Sequence, residues 1–167
     1  MLAATTTFAS PTTSQGMPFM FCGAEIWRDK KGVHNSYKSP DDINAIDWNM
    51  KLENREQFDY YRNLIALRKA HPAFRMTNPD DIAKNIVFDK VKQPCVVSYS
   101  IINNANGDSW NTIRLIFNGN DKPVIVNVKK GDYTGSADDG KINPQGLGSS
   151  KGGKITVAPR SATILAF

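Results

Sequence analysis

Near residue 76 the spacing of apolar residues changes from the helical period to the two-residue period of a β-strand. This change predicts a helical part followed by a β part. Residues 50–70 carry apolar side chains at the helical spacing, which predicts one amphipathic helix that ends before Pro72. The apolar face of this helix consists of Phe58, Tyr60, Tyr61, Leu64, Ile65 and Leu67. Beyond residue 76, several segments alternate apolar and polar residues and are rich in β-branched residues, which predicts short strands. These segments are residues 86–91, 96–102, 112–117, 124–128 and 155–167.

Turn sequences separate the predicted strands. Asn106-Gly107-Asp108 and Asn118-Gly119-Asn120-Asp121 have the composition of tight turns. Several short strands joined by such turns are typical of an antiparallel β-sandwich, which we expect over residues 76–167. Residues 131–153 are rich in glycine and are predicted to form a long hairpin excursion from that sandwich.

Composition argues against several classes of function. The 167 residues are 40% hydrophobic and 22% charged, and they contain no apolar run long enough to span a bilayer, so we expect no membrane partner. The net charge of +5 comes from basic residues scattered among acidic ones, and we therefore expect no nucleic-acid partner. Two cysteines, Cys22 and Cys95, are too few for a zinc site, and we predict neither a metal nor a cofactor. Cys22 lies inside an apolar run, where a buried free thiol is expected.

That apolar run, Gly16 to Gly23, is followed directly by Glu25. Its length and continuous apolar character predict a buried parallel strand, here called the last strand, over residues 16–22. A carboxylate directly after such a strand lies where barrel enzymes collect their polar groups. Glu25 could therefore be a catalytic acid, but we favour a structural role at the strand end.

A long polar loop follows, from Arg28 to Trp48. It combines amides, carboxylates and aromatic rings, a mixture that suits sugars, because hydroxyl groups need fixed hydrogen-bond partners and sugar faces lie on rings. The candidate substrate-binding residues in this loop are Asn35, Tyr37, Asp41 and Asn44. Asn and Asp side chains also brace turns, so each of these residues could instead serve only to hold the loop.

Three motifs carry a resemblance to a known family. They are Gly16-x-Pro18-x-x-x-x-Gly23-x-Glu25, Gly32-Val33-x-Asn35-Ser36-Tyr37-x-Ser39-Pro40-Asp41-x-Ile43-Asn44, and Leu64-Ile65-Ala66-Leu67-Arg68-Lys69-x-His71-Pro72-Ala73-Phe74-Arg75. Together they resemble the carboxy-terminal end of glycoside hydrolase family 13, the alpha-amylase family, and within it the type I pullulanase branch. The resemblance implies an α+β fragment: residues 1–75 are the last strand, substrate-side loop and last helix of a (β/α)8 barrel, and residues 76–167 are an antiparallel β-sandwich C-terminal domain.

The function implied by the resemblance is hydrolysis of alpha-1,6-glucosidic bonds in an alpha-glucan such as pullulan or the branches of starch or glycogen. A complete barrel needs about 250 residues, more than this chain has. In the resembled family the catalytic carboxylates lie upstream of the segment that opens here, so no catalytic residue is assigned in this chain. We therefore expect a C-terminal portion that is inactive alone. The alternative is a non-catalytic glycan-binding or interaction module.

Three further residues have competing interpretations. Arg68 projects from the apolar helix face, and we favour a tie to a barrel carboxylate over an aliphatic stem that reaches solvent. His71 is expected to cap the helix end, and Trp48 to take part in packing. Trp110, beside a turn, is a candidate secondary glycan platform. Residues 1–12 are expected to be either helical or disordered.

One strand and one helix of a barrel expose apolar faces that need a cover. Each buried Leu, Ile or Phe contributes about 1.5–3 kcal/mol, so several uncovered ones matter against a net stability of roughly 5–15 kcal/mol. We therefore expect residues 1–75 either to pack on the sandwich or to form a dimer through the exposed barrel-facing surface.

Overall fold

The computed structural model describes residues 9–167. Residues 9–13 are helical, and Ala9 is fully buried. The prediction for residues 1–12 therefore falls mostly outside the described residues. The helix shown by residues 9–13 ends where Thr13 turns its hydroxyl back to the carbonyl of Ala9, at 2.6 Å.

The strand predicted over residues 16–22 does not form. Residues 17–21 have no regular secondary structure and no β-ladder partner among the described residues. A strand exists only when neighbours take up its backbone hydrogen bonds, and the sheets of this structure lie elsewhere in the chain. For the same reason Cys22, which was expected to be a buried thiol, is exposed; Cys95 is also a free, exposed thiol.

The loop that follows contains little regular structure. A 3-10 turn covers Ala24–Ile26, and a short helix α1 covers Asp41–Asn44. Ile26 is fully buried and so fastens the start of the loop to the body of the protein.

The predicted helix over residues 50–70 is confirmed, with one interruption. It consists of α2, Met50–Glu53, and α3, Arg55–Ala70. The break lies at Asn54, whose amide donates to the carbonyls of Ile26 and Met50, both at 3.1 Å. Helix α3 ends at His71 because Pro72 disfavours a helical conformation in the preceding residue. A 3-10 turn at Pro72–Arg75 follows.

A further helix, α4, covers Pro79–Asn85 and was not predicted. Asn78 is its N-cap: the Asn78 side chain accepts a hydrogen bond from the Asp80 amide at 2.9 Å, and Pro79 occupies the first turn. The alternating pattern assigned to residues beyond 76 therefore begins only after this helix.

Nine strands follow. They are β1 Ile86–Phe88, β2 Val96–Ile101, β3 Ile113–Asn118, β4 Val124–Val128, β5 Tyr133–Asp138, β6 Lys141–Ile142, β7 Gly148–Ser150, β8 Gly153–Val157 and β9 Ser161–Ala166. Every predicted strand segment contains a strand, and the last one contains two. The glycine-rich excursion also contains strands, because β5, β6 and β7 all lie within residues 131–153.

The strands form two antiparallel sheets. The large sheet has the order β1-β2-β3-β9-β5-β6, with β7 also paired to β5, and the small sheet pairs β4 with β8. Strand β9 is therefore central: Leu115 of β3 lies opposite Ile164, and Gly135 of β5 lies opposite Leu165. The antiparallel β-rich region is confirmed.

Successive side chains of the large sheet point to its two faces and fill two apolar cores. On one face, Leu115 and Ile164 pack with Leu64 and Leu67 of α3 and with Phe74. On the other face, a smaller core lies against the small sheet and consists of Ile116, Val126, Val128 and Val157. Helix α3 thus packs on the β region and shares its main core, which is one of the two outcomes expected for residues 1–75.

Residues 9–167 include no helix long and apolar enough to cross a bilayer.

Candidate functional site

The polar loop from Arg28 to Trp48 is organised by Asn44. The Asn44 amide nitrogen donates to the carbonyls of Ser36 and Ser39, at 2.8 and 2.6 Å, and its side-chain oxygen accepts from the Lys30 ammonium at 2.6 Å. The Arg28 guanidinium donates to the Asn44 carbonyl. One asparagine at the end of α1 therefore ties together both arms of the loop. Desolvation, and secondarily the Arg28 charge, lowers the pKa of Lys30.

The other three candidate sugar-binding residues lie exposed on the loop that Asn44 holds together. Tyr37 is 75% exposed, and Asn35 and Asp41 are also exposed. The Lys38 ammonium lies 5.4 Å from the centre of the Tyr37 ring. An exposed ring with amide and carboxylate groups on the same loop is an arrangement that can hold a sugar by its face and edges.

Two further side chains of this loop, Trp48 and His34, also face solvent. Trp48 was expected to take part in packing, but it is 63% exposed. His34 is exposed as well. Both side chains are therefore accessible on the same loop, and the packing role expected for Trp48 is wrong in this structure.

Glu25 lies at the base of the loop and binds its own turn. One of its carboxylate oxygens accepts from the Gly23 amide at 3.0 Å. Gly23 has a φ of 92°, and a side chain there would lie 2.7 Å from the Arg28 side chain, so this turn requires glycine. Burial, and more weakly the Glu25 charge, raises the pKa of Tyr61, while a hydrogen bond with Gln57 acts in the opposite direction. This geometry fits the structural role predicted for Glu25.

Arg68 ties helix α3 to residues 12–16, but not through a carboxylate. Its guanidinium donates to the carbonyls of Thr12, Ser14 and Gly16, at 3.0, 2.8 and 2.5 Å. The predicted carboxylate partner is therefore wrong, because in this structure the backbone of residues 12–16 provides the acceptors. Burial, and secondarily the Arg75 charge, lowers the pKa of Arg68.

Gln15 completes this attachment. Its side-chain amide donates to the Ala73 carbonyl at 2.9 Å and accepts from the Met76 amide at 2.8 Å. The backbone just before residue 17 is thus held by hydrogen bonds, although the side chains of Met17, Phe19 and Phe21 are exposed.

A buried polar cluster joins the end of α3 to the β region. His71 Nδ1 lies 2.9 Å from Asp108 Oδ1, and Asp108 also accepts from the backbone amides of Ala73 and Trp110, at 3.1 and 2.9 Å. The Asp108 side chain is fully buried. Asp108 was not predicted; a carboxylate within a glycine turn is the only signal that the sequence offers for it.

Trp110 stacks on His71, with ring centres 3.4 Å apart. One face of the indole is therefore covered, and this weakens the case for Trp110 as a secondary glycan platform. The His71 ring faces Phe74 edge-on, at 6.4 Å between ring centres. The aromatic and polar side chains at this junction serve to connect the two regions.

The part of the chain that the structure describes holds no group of three or more His, Cys, Asp or Glu side chains that could bind a metal ion.

Comparison with known proteins gives one consistent relationship. The family described as the pullulanase all-beta domain matches residues 82–141. Pullulanase of Bacillus subtilis (strain 168) is 40% identical over 103 residues, which are 62% of this chain and 14% of that protein.

Solved structures extend the match to nearly the whole chain. Pullulanase from Bacillus acidopullulyticus superposes with a TM-score of 0.91 at 37% identity, over 97% of this chain and 20% of the other. Pullulanase from Anoxybacillus sp. LM18-11 complexed with maltotriose superposes with a TM-score of 0.85 at 29% identity, over 98% of this chain and 22% of the other. The chain thus spans less than a quarter of the length of these proteins.

These matches define the class of the protein, which is that of the glycoside hydrolases of the alpha-amylase family. Within that class the chain belongs to the pullulanases, whose carboxy-terminal part it matches.

Proposed function

We propose that the chain is the carboxy-terminal portion of an alpha-glucan debranching enzyme that hydrolyses alpha-1,6-glucosidic bonds. The observation that supports this most is the match of 97% of the chain to a solved pullulanase with a TM-score of 0.91. A second pullulanase that matches equally completely is complexed with maltotriose, an alpha-glucan fragment.

In this proposal residues 1–75 belong to the end of a (β/α)8 barrel and residues 76–167 form the sandwich behind it. Two features of the described part support the assignment. Helix α3 is amphipathic and ends at the predicted residue. The apolar side chains of Met17, Phe19 and Phe21 are exposed, as expected for a barrel strand without its neighbours.

The polar loop would form one wall of the glucan cleft. Asn35, Tyr37, Asp41 and Asn44 stay the proposed substrate-binding residues, with a division of labour that the contacts favour. The exposed Tyr37 ring would meet the face of a glucose unit, and Asn35 and Asp41 would bind its hydroxyl groups. Asn44 would act from within the loop, because its side chain already bonds Ser36, Ser39 and Lys30.

The catalytic carboxylates would lie upstream of this chain. A retaining glycosidase needs two carboxyl groups about 5–5.5 Å apart on either side of the scissile bond. Glu25, the carboxylate at the base of the loop, is engaged with the Gly23 amide of its own turn. We therefore propose that the chain alone has no hydrolytic activity.

A reducing-sugar assay tests this proposal directly. The purified chain is incubated with pullulan beside a buffer blank, and the intact Bacillus acidopullulyticus enzyme serves as the positive control. We expect no release above the blank. Release from pullulan that is abolished by Glu25→Gln, but not by Asp121→Asn at an exposed turn, would show that this chain holds its own catalytic acid.

A further inference from the structure

The turn that carries Tyr37 is held at both of its corners by one side chain. Residues 36–39 form a tight turn, in which the Ser39 amide donates to the Ser36 carbonyl at 2.9 Å. The Asn44 side-chain nitrogen donates to the carbonyls of the same two serines, at 2.8 and 2.6 Å. Because Tyr37 lies between these serines, the orientation of the Asn44 amide fixes the backbone from which the exposed Tyr37 ring projects.

The neighbours of the Asn44 amide determine which way it points. Carbonyl oxygens only accept hydrogen bonds, so the amide nitrogen faces Ser36 and Ser39. The Lys30 ammonium only donates, so the amide oxygen faces Lys30, and the two atoms lie 2.6 Å apart. A hydrogen bond from a charged donor is stronger than a neutral one. A reversed amide would place its oxygen against two carbonyls and its nitrogen against an ammonium, which is unfavourable on both sides.

The backbone of Asn44 is held by separate contacts. Its amide donates to the Pro40 carbonyl at 3.1 Å within α1, and its carbonyl accepts from the Arg28 guanidinium. Neither contact involves the side chain of Asn44. Loss of the Lys30 ammonium would therefore leave Asn44 in place but would free its side-chain amide to rotate.

We propose that Lys30 is a positioning residue for glucan binding: its ammonium orients the Asn44 amide, and this amide fixes the turn that presents Tyr37. This role rests on the proposed function, because it requires the loop to hold an alpha-glucan. A charged donor on the amide oxygen polarises the amide and strengthens the bonds that its N–H groups make, so the three contacts support one another. Lys30 acts through Asn44 and Tyr37 rather than by touching the sugar.

The next residue, Lys31, carries the same charge without this connection. The Lys31 ammonium lies 3.9 Å from the Asp42 carboxylate, and the two side chains are 62% and 64% exposed. Exposed ion pairs of this kind contribute little to stability. Lys30 is instead half-buried and bonded to the side chain that holds the Tyr37 turn. Since removal of either lysine changes the net charge equally, Lys31 provides a matched control.

Amide exchange measured by NMR tests the turn in the absence of sugar. Lys30→Met removes the ammonium but keeps an unbranched apolar side chain, and Lys31→Met is the control. We expect the Ser39 amide and the Asn44 side-chain amide to exchange at least about tenfold faster in Lys30→Met, and at the wild-type rate in Lys31→Met. Exchange in β3 should stay at the wild-type rate in both variants, which would show that the fold is intact.

Isothermal titration calorimetry with maltotriose measures the consequence for binding. We expect the dissociation constant of the full chain for maltotriose to rise about tenfold in Lys30→Met and to stay within about twofold of the wild-type value in Lys31→Met. Lys30→Arg keeps a charged donor and should recover most of the lost affinity. A lysine that only stabilised the fold would not distinguish these variants while β3 exchanged normally.

A double variant shows whether Lys30 acts through Tyr37. Tyr37→Ala removes the ring that the turn presents, so orientation of the turn no longer affects the sugar. We therefore expect Lys30→Met combined with Tyr37→Ala to bind maltotriose as weakly as Tyr37→Ala alone, and no more weakly. A further loss in the double variant would mean that Lys30 contributes by another route.

The outcomes separate this inference from the proposed function. If the wild-type chain does not bind maltotriose, the proposed glucan contact of the loop fails, and the role of Lys30 fails with it. If the wild-type chain binds, only the role of Lys30 is overturned by any of three results. They are unchanged Ser39 exchange in Lys30→Met, equal effects of Lys31→Met, and a further loss of affinity in the double variant.

Discussion

The two regions of this chain differ in how their apolar residues are covered. In residues 9–75 one face of α3 is buried, while Met17, Phe19, Trp48 and Leu52 are mostly exposed. In residues 76–167 the large sheet has an apolar core on both faces, one shared with α3 and one with the small sheet. The comparison shows that α3 behaves as part of the β region, whereas the segments on either side of the polar loop leave large apolar side chains exposed.

The largest expected effect concerns the shared core. Leu115→Ala removes a fully buried side chain of β3 that packs in the core containing α3, and we expect the free energy of unfolding to fall by about 2–5 kcal/mol. Leu52→Ala is the matched control in the first region; Leu52 is 73% exposed, so a change within about 0.5 kcal/mol is expected. Urea titration followed by circular dichroism measures both. Equal effects would remove the contrast between the two regions.

A smaller effect is expected at the polar junction between the regions. Asp108→Asn keeps an oxygen for His71 and Trp110 but places an amide N–H₂ against the Ala73 N–H, so a buried donor loses its acceptor. We expect a loss of about 1–3 kcal/mol of unfolding free energy. Hydrogen exchange of residues 71–76 should become faster than that of β3. Asp121→Asn, at an exposed turn, provides the control, and a similar loss there would contradict the role of Asp108.

The smallest expected effect appears only in alkaline solution. Burial, with a weaker contribution from Tyr61, raises the pKa of Tyr60 above its ordinary value of 10. The folded protein then holds this proton more strongly than the unfolded chain, so the associated stability is complete below pH 10 and is lost as the pH rises above it. The loss is limited to about 1.4 kcal/mol per pH unit for one group. Urea midpoints from pH 9 to 11 measure it, and Tyr60→Phe should flatten the decline; an unchanged slope would contradict the assignment.

The comparison also explains which structures could be predicted from the sequence. Helix α3 and the strands from β2 to β4 and β9 were predicted because their apolar periods reflect partners that lie within this chain. The strand at residues 16–22 was predicted from the same kind of signal, but a strand needs neighbours to bond, and none is present in residues 9–167. Cys22 is exposed for this reason too.

Other differences come from tertiary contacts that local patterns do not encode. The glycine-rich sequence around β5 and β7 predicted only a long hairpin excursion, yet β5 joins the large sheet by pairing with β9, and β7 pairs with β5. In the candidate site, the membership of Asn35, Tyr37, Asp41 and Asn44 in one loop followed from their spacing. The bracing contacts of Asn44 and the junction at Asp108 did not, because they depend on where distant carbonyls and amides lie.

The central place of β9 has a consequence for biosynthesis. Among the described residues, strands β3 and β5 are joined in the large sheet only by β9, which follows all the other strands of that sheet in the sequence. Until Ser161–Ala166 have left the ribosome, a nascent chain exposes two unpaired β edges, which are templates for pairing with other chains. The large sheet can therefore close only after β9 has been synthesised, and a stop codon between β8 and β9 would leave a polypeptide whose large sheet is divided into β1-β2-β3 and the strands around β5.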